Sequence, residues 1–281
     1  MASRRTPSPA TGRVLVFDSG IGGLTIRDAL AASAPGLVID YAADTAFFPY
    51  GEKADAALAA RVPEVAEALV AEAKPDVLVI ACNTASTLAL SETRSRLAIP
   101  VIGTVPAIKP AASLTKTGTI GLLATPGTLA RAYTSKLIAD FAAHCQVIRH
   151  GSVDLVHLAE RRAAGERLPA SEVAAAQAPL FHAPGGEQID TVVLACTHFP
   201  LLRTELTAAA PHQVSYIDSG AAIARQTLKR LEAAPARRIG VDPPAAWVTS
   251  PVHPEAVGRV FRRYGYETVR ALDVPARAQG V

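Results

Sequence analysis

Two kinds of hydrophobic pattern alternate along the chain. Short runs rich in Val, Ile and Leu, namely RVLVF at 13–17, LVIDYAAD at 37–44 and DVLVIAC at 76–82, are bounded by turn residues and predict buried strands. Between the first two, LTIRDALAASA carries its apolar residues at helical spacing. The Ala- and Glu-rich stretch 53–73 predicts a helix that is interrupted or restarted at Pro63. ASTLALSETRSRLA is helical again and stops before Pro100. The second half repeats this grammar: GTIGLLATPGT at 118–128 is a strand running into a Gly and Thr turn ahead of a helix, and DTVVLAC at 190–196 is a further strand. Strands alternating with helices of this length predict βαβ units, hence an α/β fold with mostly parallel sheets.

The repetition reaches single positions. Asp leads the strand and Cys follows six residues later both at Asp76 to Cys82 and at Asp190 to Cys196. Two similar α/β domains are expected, each ending one strand at a thiol, although strand composition alone produces echoes of this kind. Open α/β sheets bind ligands at the carboxyl ends of their strands, where both cysteines fall. Asn83 and Thr84 follow the first, and Thr197 and His198 follow the second, ahead of a helix with Pro200 near its first turn. A thiol beside a helix N-terminus feels positive partial charge, which is expected to lower its pKa from about 8.5 toward neutrality and make it a proton-transfer base. A lone strand cysteine is otherwise a small buried hydrophobe, the reading given to Cys145 in AAHCQV.

The turn DSGIGGLT has glycines that let backbone N–H groups approach an anion, but it lacks the Lys of a P-loop, and Thr25 stands where a dinucleotide fingerprint needs its third glycine. A carboxylate is the better guess. Asp18, at the strand end, either caps the helix that follows or shares a proton with a neighbouring thiol.

Composition narrows the class. With 281 residues, 49% of them hydrophobic, the chain can bury one large core or two ordinary ones. A net charge of +3 without a clustered basic face gives no reason to expect nucleic acid, and no apolar run is long enough to span a bilayer. Residues 1–12 hold two arginines and no apolar core segment, so they read as a disordered tail, not a signal peptide. Three cysteines without CxxC spacing argue against disulfides and structural zinc, and fit a reducing cytoplasm.

In this order and spacing, DSGIGG, FPYGEK, ACNTAS, the ATPGT turn and ACTHFPLL resemble the bacterial glutamate racemases of the aspartate/glutamate racemase superfamily, over about residues 13–220. The resemblance implies two pseudo-symmetric α/β domains with the active site between them. The first would span 12–107 and regain 221–281, and the second would span 108–220. It implies a cofactor-independent isomerase that interconverts L- and D-glutamate for peptidoglycan, with no metal, glutamate as its small-molecule partner, and a homodimer as the assembly left open.

Carried over position by position, Cys82 and Cys196 match the two catalytic thiols, the former acting on D-glutamate and the latter on L-glutamate. Asp18 resembles the partner of the first thiol and His198 that of the second. Both also fall at substrate-binding positions, with Ser19, Tyr50, Gly51, Asn83, Thr84 and Thr197. Thr125 and Thr128 are further candidate contacts. Glu160 resembles an acidic residue near the second thiol, while His157 departs from the proline expected there. The stretch after 235 matches only loosely. Racemisation explains the duplication, because a proton must leave one face of a planar carbanion and another must arrive at the opposite face. Three rivals remain: a sister racemase for aspartate or hydantoins, a cysteine hydrolase built on Cys196 and His198, and an amino-acid-binding module.

Overall fold

In the parallel strands successive side chains point to opposite faces, and here both faces are covered. Val14 and Val16 enter one core cluster with Ile39 and Tyr41, whereas Leu15 and Phe17 enter a second with Leu78 and Ile80. That is why these strands read as continuous apolar runs. The structure is a computed structural model that describes residues 12–233, 242–249 and 254–274.

In chain order the elements are β1 (Gly12–Asp18), α1 (Leu24–Ser33), β2 (Leu37–Ala43), α2 (Asp55–Ala73), β3 (Val77–Ile80), α3 (Asn83–Arg96), β4 (Val101–Gly103) and α4 (Ile108–Leu114). There follow β5 (Thr119–Ala124), α5 (Pro126–Ala130), α6 (Ala132–Phe141), β6 (Gln146–Gly151), α7 (Asp154–Ala163), α8 (Ala170–His182), β7 (Thr191–Ala195), α9 (Arg203–Ala209) and β8 (Ser215–Ile217). The last are α10 (Gly220–Ala233), β9 (Ala245–Val248), α11 (Pro254–Arg263) and β10 (Thr268–Ala271).

Two parallel sheets result, ordered β10-β9-β2-β1-β3-β4 and β6-β5-β7-β8. The second repeats the order of the first four strands of the chain, so the molecule is built from two pseudo-symmetric α/β halves. The repeated Asp is a structural clamp in both. Asp76 Oδ2 accepts from Arg13 N–H at 2.8 Å, and Asp190 Oδ2 accepts from Lys116 and Thr117 N–H at 2.6 and 3.0 Å, tying each cysteine-bearing strand to its neighbour. The chain crosses between the sheets after β4 and again after β8. The two crossings lie side by side, with the Ser219 hydroxyl donating to the Val105 carbonyl.

Some expectations need correction. Helix α2 runs unbroken through Pro63, because Leu58, Val62, Pro63, Val65, Ala66 and Leu69 are all buried and their packing outweighs one lost backbone bond. Pro200 sits in a four-residue 3-10 turn, Phe199–Leu202, that leads into α9. Gly12, counted with the tail, already pairs with Leu37 in β1. The rest of that tail, 1–11, and residues 234–241, 250–253 and 275–281 lie outside the described residues.

Candidate active site

The equivalent loops after β1, β3, β5 and β7 meet between the two sheets. Phe17 is in register with Ile80, and Ala124 with Ala195, so Asp18 stands beside the Cys82 strand as Thr125 stands beside the Cys196 strand. Thr125 is the N-cap of α5: its hydroxyl accepts from Thr128 N–H and Pro126 opens the helix, which accounts for the ATPGT turn. Cys82 occupies the N-cap position of α3.

A tight cleft lies between these loops. Both Cys82 and Cys196 line it, together with Ser19, Tyr50, Gly51, Asn83 and Thr84 from one half and Thr125, Thr197 and His198 from the other. Asp18 is fully buried just behind this lining, and Thr128 joins Thr84 and Thr125 in a three-hydroxyl cluster with separations of 3.0 to 3.2 Å. Cys145 packs beside another core cluster, away from the cleft. Val153 and Val156 also line it. Nothing in the sequence marked them, since an apolar residue at the head of a helix carries no chemical signal.

The two thiols have different surroundings. Cys82 is buried, and burial, with the nearby Asp18 carboxylate second, pushes its thiol well above the ordinary range. The Ala85 N–H at the start of α3 acts in the lowering direction, as expected of a helix N-terminus, but is outweighed. The expected lowering therefore does not hold at Cys82. Next to Cys196, His198 Nδ1 is 3.8 Å from Sγ while Nε2 is 2.8 Å from Glu160 Oε1. Burial opposes the imidazolium, but the contacts with Cys196 and Glu160 together hold His198 well above its ordinary value.

Asp18 faces both halves. Its Oδ2 accepts from Gly23 N–H at 2.5 Å and from the Thr197 hydroxyl at 3.1 Å. Burial raises its pKa against the opposing pull of His198 and of these donors. Asp18 Oδ1 and Asn83 Oδ1 are buried without a partner among the described residues. The glycine loop does hold carboxylates, but they are the chain's own: Asp18, and Glu160, whose Oε1 accepts from Ile21 N–H at 3.1 Å. Its glycines are needed for closeness. A Cβ on Gly22 would lie 2.5 Å from His198 Nδ1, and one on Gly20 would lie 2.6 Å from Glu160 Oε1. His157, half exposed, stands outside the lining, 3.6 Å from Glu52 and edge-on to the Phe48 ring. Among the described residues no group of three or more His, Cys, Asp and Glu side chains is arranged to hold a metal, and no helix is long and apolar enough to cross a membrane.

Paired thiols facing one cleft between two α/β halves define a class, and residues 25–227 match the Asp/Glu/hydantoin racemase family, to which this chain belongs. Its relatives are more particular. A glutamate racemase of Salmonella gallinarum is 45% identical over 270 residues, covering 96% of this chain and 95% of that one. The crystal structure of Escherichia coli glutamate racemase with L-glutamate and the activator UDP-MurNAc-ala superposes with a TM-score of 0.89 at 43% identity, over 96% of this chain and 100% of that one. Francisella tularensis glutamate racemase in complex with D-glutamate gives 0.76 at 25% identity, over 93% and 97%.

Proposed function

We infer that the chain is a glutamate racemase that interconverts L- and D-glutamate by two-base proton transfer, supplying D-glutamate for peptidoglycan. The observation that carries the mechanism is the convergence of two thiols from equivalent strands on one cleft. In the L-to-D direction Cys196 Sγ, as thiolate, takes the α-proton, and Cys82, as thiol, delivers its own proton to the opposite face. The roles exchange for the return. Burial first, with the Asp18 carboxylate second, favours the protonated form of Cys82, and His198 beside Cys196 is placed to act as its partner. Ser19, Tyr50, Gly51, Asn83, Thr84, Thr197 and His198 bind substrate. The unpartnered oxygens of Asp18 and Asn83 are acceptors suited to its ammonium group. Neutral donors and the N-termini of α3 and α5 stabilise the carboxylate on which charge develops.

This reading treats 12–107 with 221–281 as one domain and 108–220 as the other, hinged where Ser219 meets Val105. It needs no cofactor, nucleic acid or membrane, places the enzyme in the cytoplasm, where free thiols persist, and is compatible with a homodimer. One rival has a specific observation in its favour, since Cys196, His198 and Glu160 are connected like a hydrolytic triad. A hydrolase has no use for Cys82, and it would accumulate an acyl-enzyme. The deciding experiment is polarimetry of the purified protein with each enantiomer of glutamate and aspartate, without pyridoxal phosphate. Both glutamate enantiomers are expected to lose rotation, far faster than aspartate. Equal or faster turnover of aspartate would overturn the substrate, and no loss with either amino acid would overturn the reaction.

A further inference from the structure

Tyr41, on β2, is fully buried and takes no part in lining the cleft. Its ring is wedged between Phe261, edge-on at 5.4 Å, and Tyr266 at 6.3 Å, so its hydroxyl has a fixed position. That hydroxyl donates to the Gly20 carbonyl at 2.7 Å. Burial first, then the nearby Asp18 and Glu160, push Tyr41 well above the ordinary tyrosine range, so it remains an O–H donor at any working pH.

The Gly20 carbonyl and the Ile21 N–H belong to one planar peptide group. Its nitrogen end donates to Glu160 Oε1 at 3.1 Å, and the same Oε1 lies 2.8 Å from His198 Nε2, whose other nitrogen faces Cys196. We propose that Tyr41 is a positioning residue for the Cys196 side of the site, acting through the Gly20–Ile21 peptide and Glu160 on His198.

A peptide group held only at its nitrogen can tilt about the flanking torsions, and glycine at 20 leaves those torsions free. Held at both ends it is a rigid peg against which Glu160 rests. The carboxylate has no slack on the loop side, because a Cβ on Gly20 would collide with it. Hydrogen bonding at the oxygen also polarises the N–H at the far end. Tyr41 belongs to the first sheet while Glu160, His198 and Cys196 belong to the other half, so this contact sets the register of the two halves at one thiol. The charged groups facing His198 among the described residues are Glu160 from α7, Cys196 after β7 and Asp18 after β1. Tyr41 donates to none of them directly.

The inference rests on the roles proposed for Cys196 and His198, and the test separates the two. Tyr41→Phe removes one oxygen and leaves the ring packing. Tyr266→Phe is the control, since the Tyr266 hydroxyl is also buried and donates to the Ile39 carbonyl, with no link to Glu160. NMR titration of His198 needs no turnover, and its midpoint is expected to fall in Tyr41→Phe and to stay put in Tyr266→Phe. In turnover, Tyr41→Phe is expected to lower kcat for L-glutamate about three- to tenfold. kcat/KM should change by the same factor for both enantiomers, because the two values are tied by an equilibrium constant of one. Combined with Glu160→Gln it is expected to add nothing further. An unmoved His198 midpoint, or additivity with Glu160→Gln, overturns the role of Tyr41. Absence of racemisation in the unaltered enzyme would overturn the proposed reaction instead, with the titration still deciding Tyr41. Amide exchange in the unaltered protein gives a check that needs no variant: the Ile21 N–H should be among the slowest of the loop, and exchange as fast as that of an exposed loop amide also overturns the proposal.

Discussion

Cys82 and Cys196 end equivalent strands but carry different partners, and that difference sets what each can do before substrate arrives. Burial first, and the Asp18 carboxylate second, favour the thiol at Cys82, whereas a buried imidazole lies beside Cys196. On the proposed mechanism, replacing either by Ala removes one face's acid or base, so racemisation should fall by at least about a hundredfold, while Cys145→Ala stays within about twofold. Initial rates from each enantiomer check this, and normal turnover in either of the first two variants would end the two-base account. The pH dependence follows from Glu160. Against burial, the contact with Cys196 and then the hydrogen bond and charge of Glu160 raise the pKa of His198, so the imidazolium persists to higher pH and is lost only as pH rises through that raised value. Glu160→Gln removes the charge and should move the alkaline fall of kcat for L-glutamate to lower pH. A pH–rate profile that stays put or moves upward would contradict the assignment.

The loop from Asp18 to Gly23 is the element that brings the halves together. It is thin where α7 and the 3-10 turn after Cys196 press on it, and Gly22→Ala would put a methyl carbon 2.8 Å from the His198 backbone nitrogen, which cannot step aside. That variant should melt only modestly lower, yet lose about a hundredfold or more in kcat/KM, since a 1 Å misplacement costs that much. Thermal melting and kinetics on the same sample test it, and near-normal kcat/KM would mean that the halves need not approach so closely. This element also marks the limit of what was legible in sequence. Strand, turn and thiol could be read locally, because RVLVF, DVLVIAC and DTVVLAC each carry their own hydrophobic signature and end at their own turn. The reason for the glycines could not, because the groups that demand them, Glu160 and His198, lie 139 residues and more away in the chain. The raised Cys82 was hidden for the same reason: helix dipoles follow from local pattern, whereas burial depends on the whole fold. Pro63 misled because a local penalty was overridden by tertiary packing of α2.

At the scale of the molecule, the cleft is enclosed by contacts that cross from one half to the other. Thr84 meets Thr125 and Thr128, the Thr25 hydroxyl donates to the Thr197 carbonyl, Arg131 pairs with Asp55, and His157 approaches Glu52. Contacts of this kind exclude water from a carbanion that would otherwise be quenched at random, and they must loosen for product to leave. On the proposed mechanism, with one thiol serving each face in a site so enclosed, the origin of the transferred proton is fixed. With L-glutamate in heavy water, Cys196 takes the substrate's own proton while Cys82, already equilibrated with solvent, gives a deuteron to the other face. Proton NMR of both enantiomers during the first few per cent of reaction tests this directly. The account predicts D-glutamate carrying deuterium at its α-carbon from the outset and recovered L-glutamate still carrying protium, whereas D-glutamate that retains substantial α-protium would mean that one group serves both faces and would contradict it.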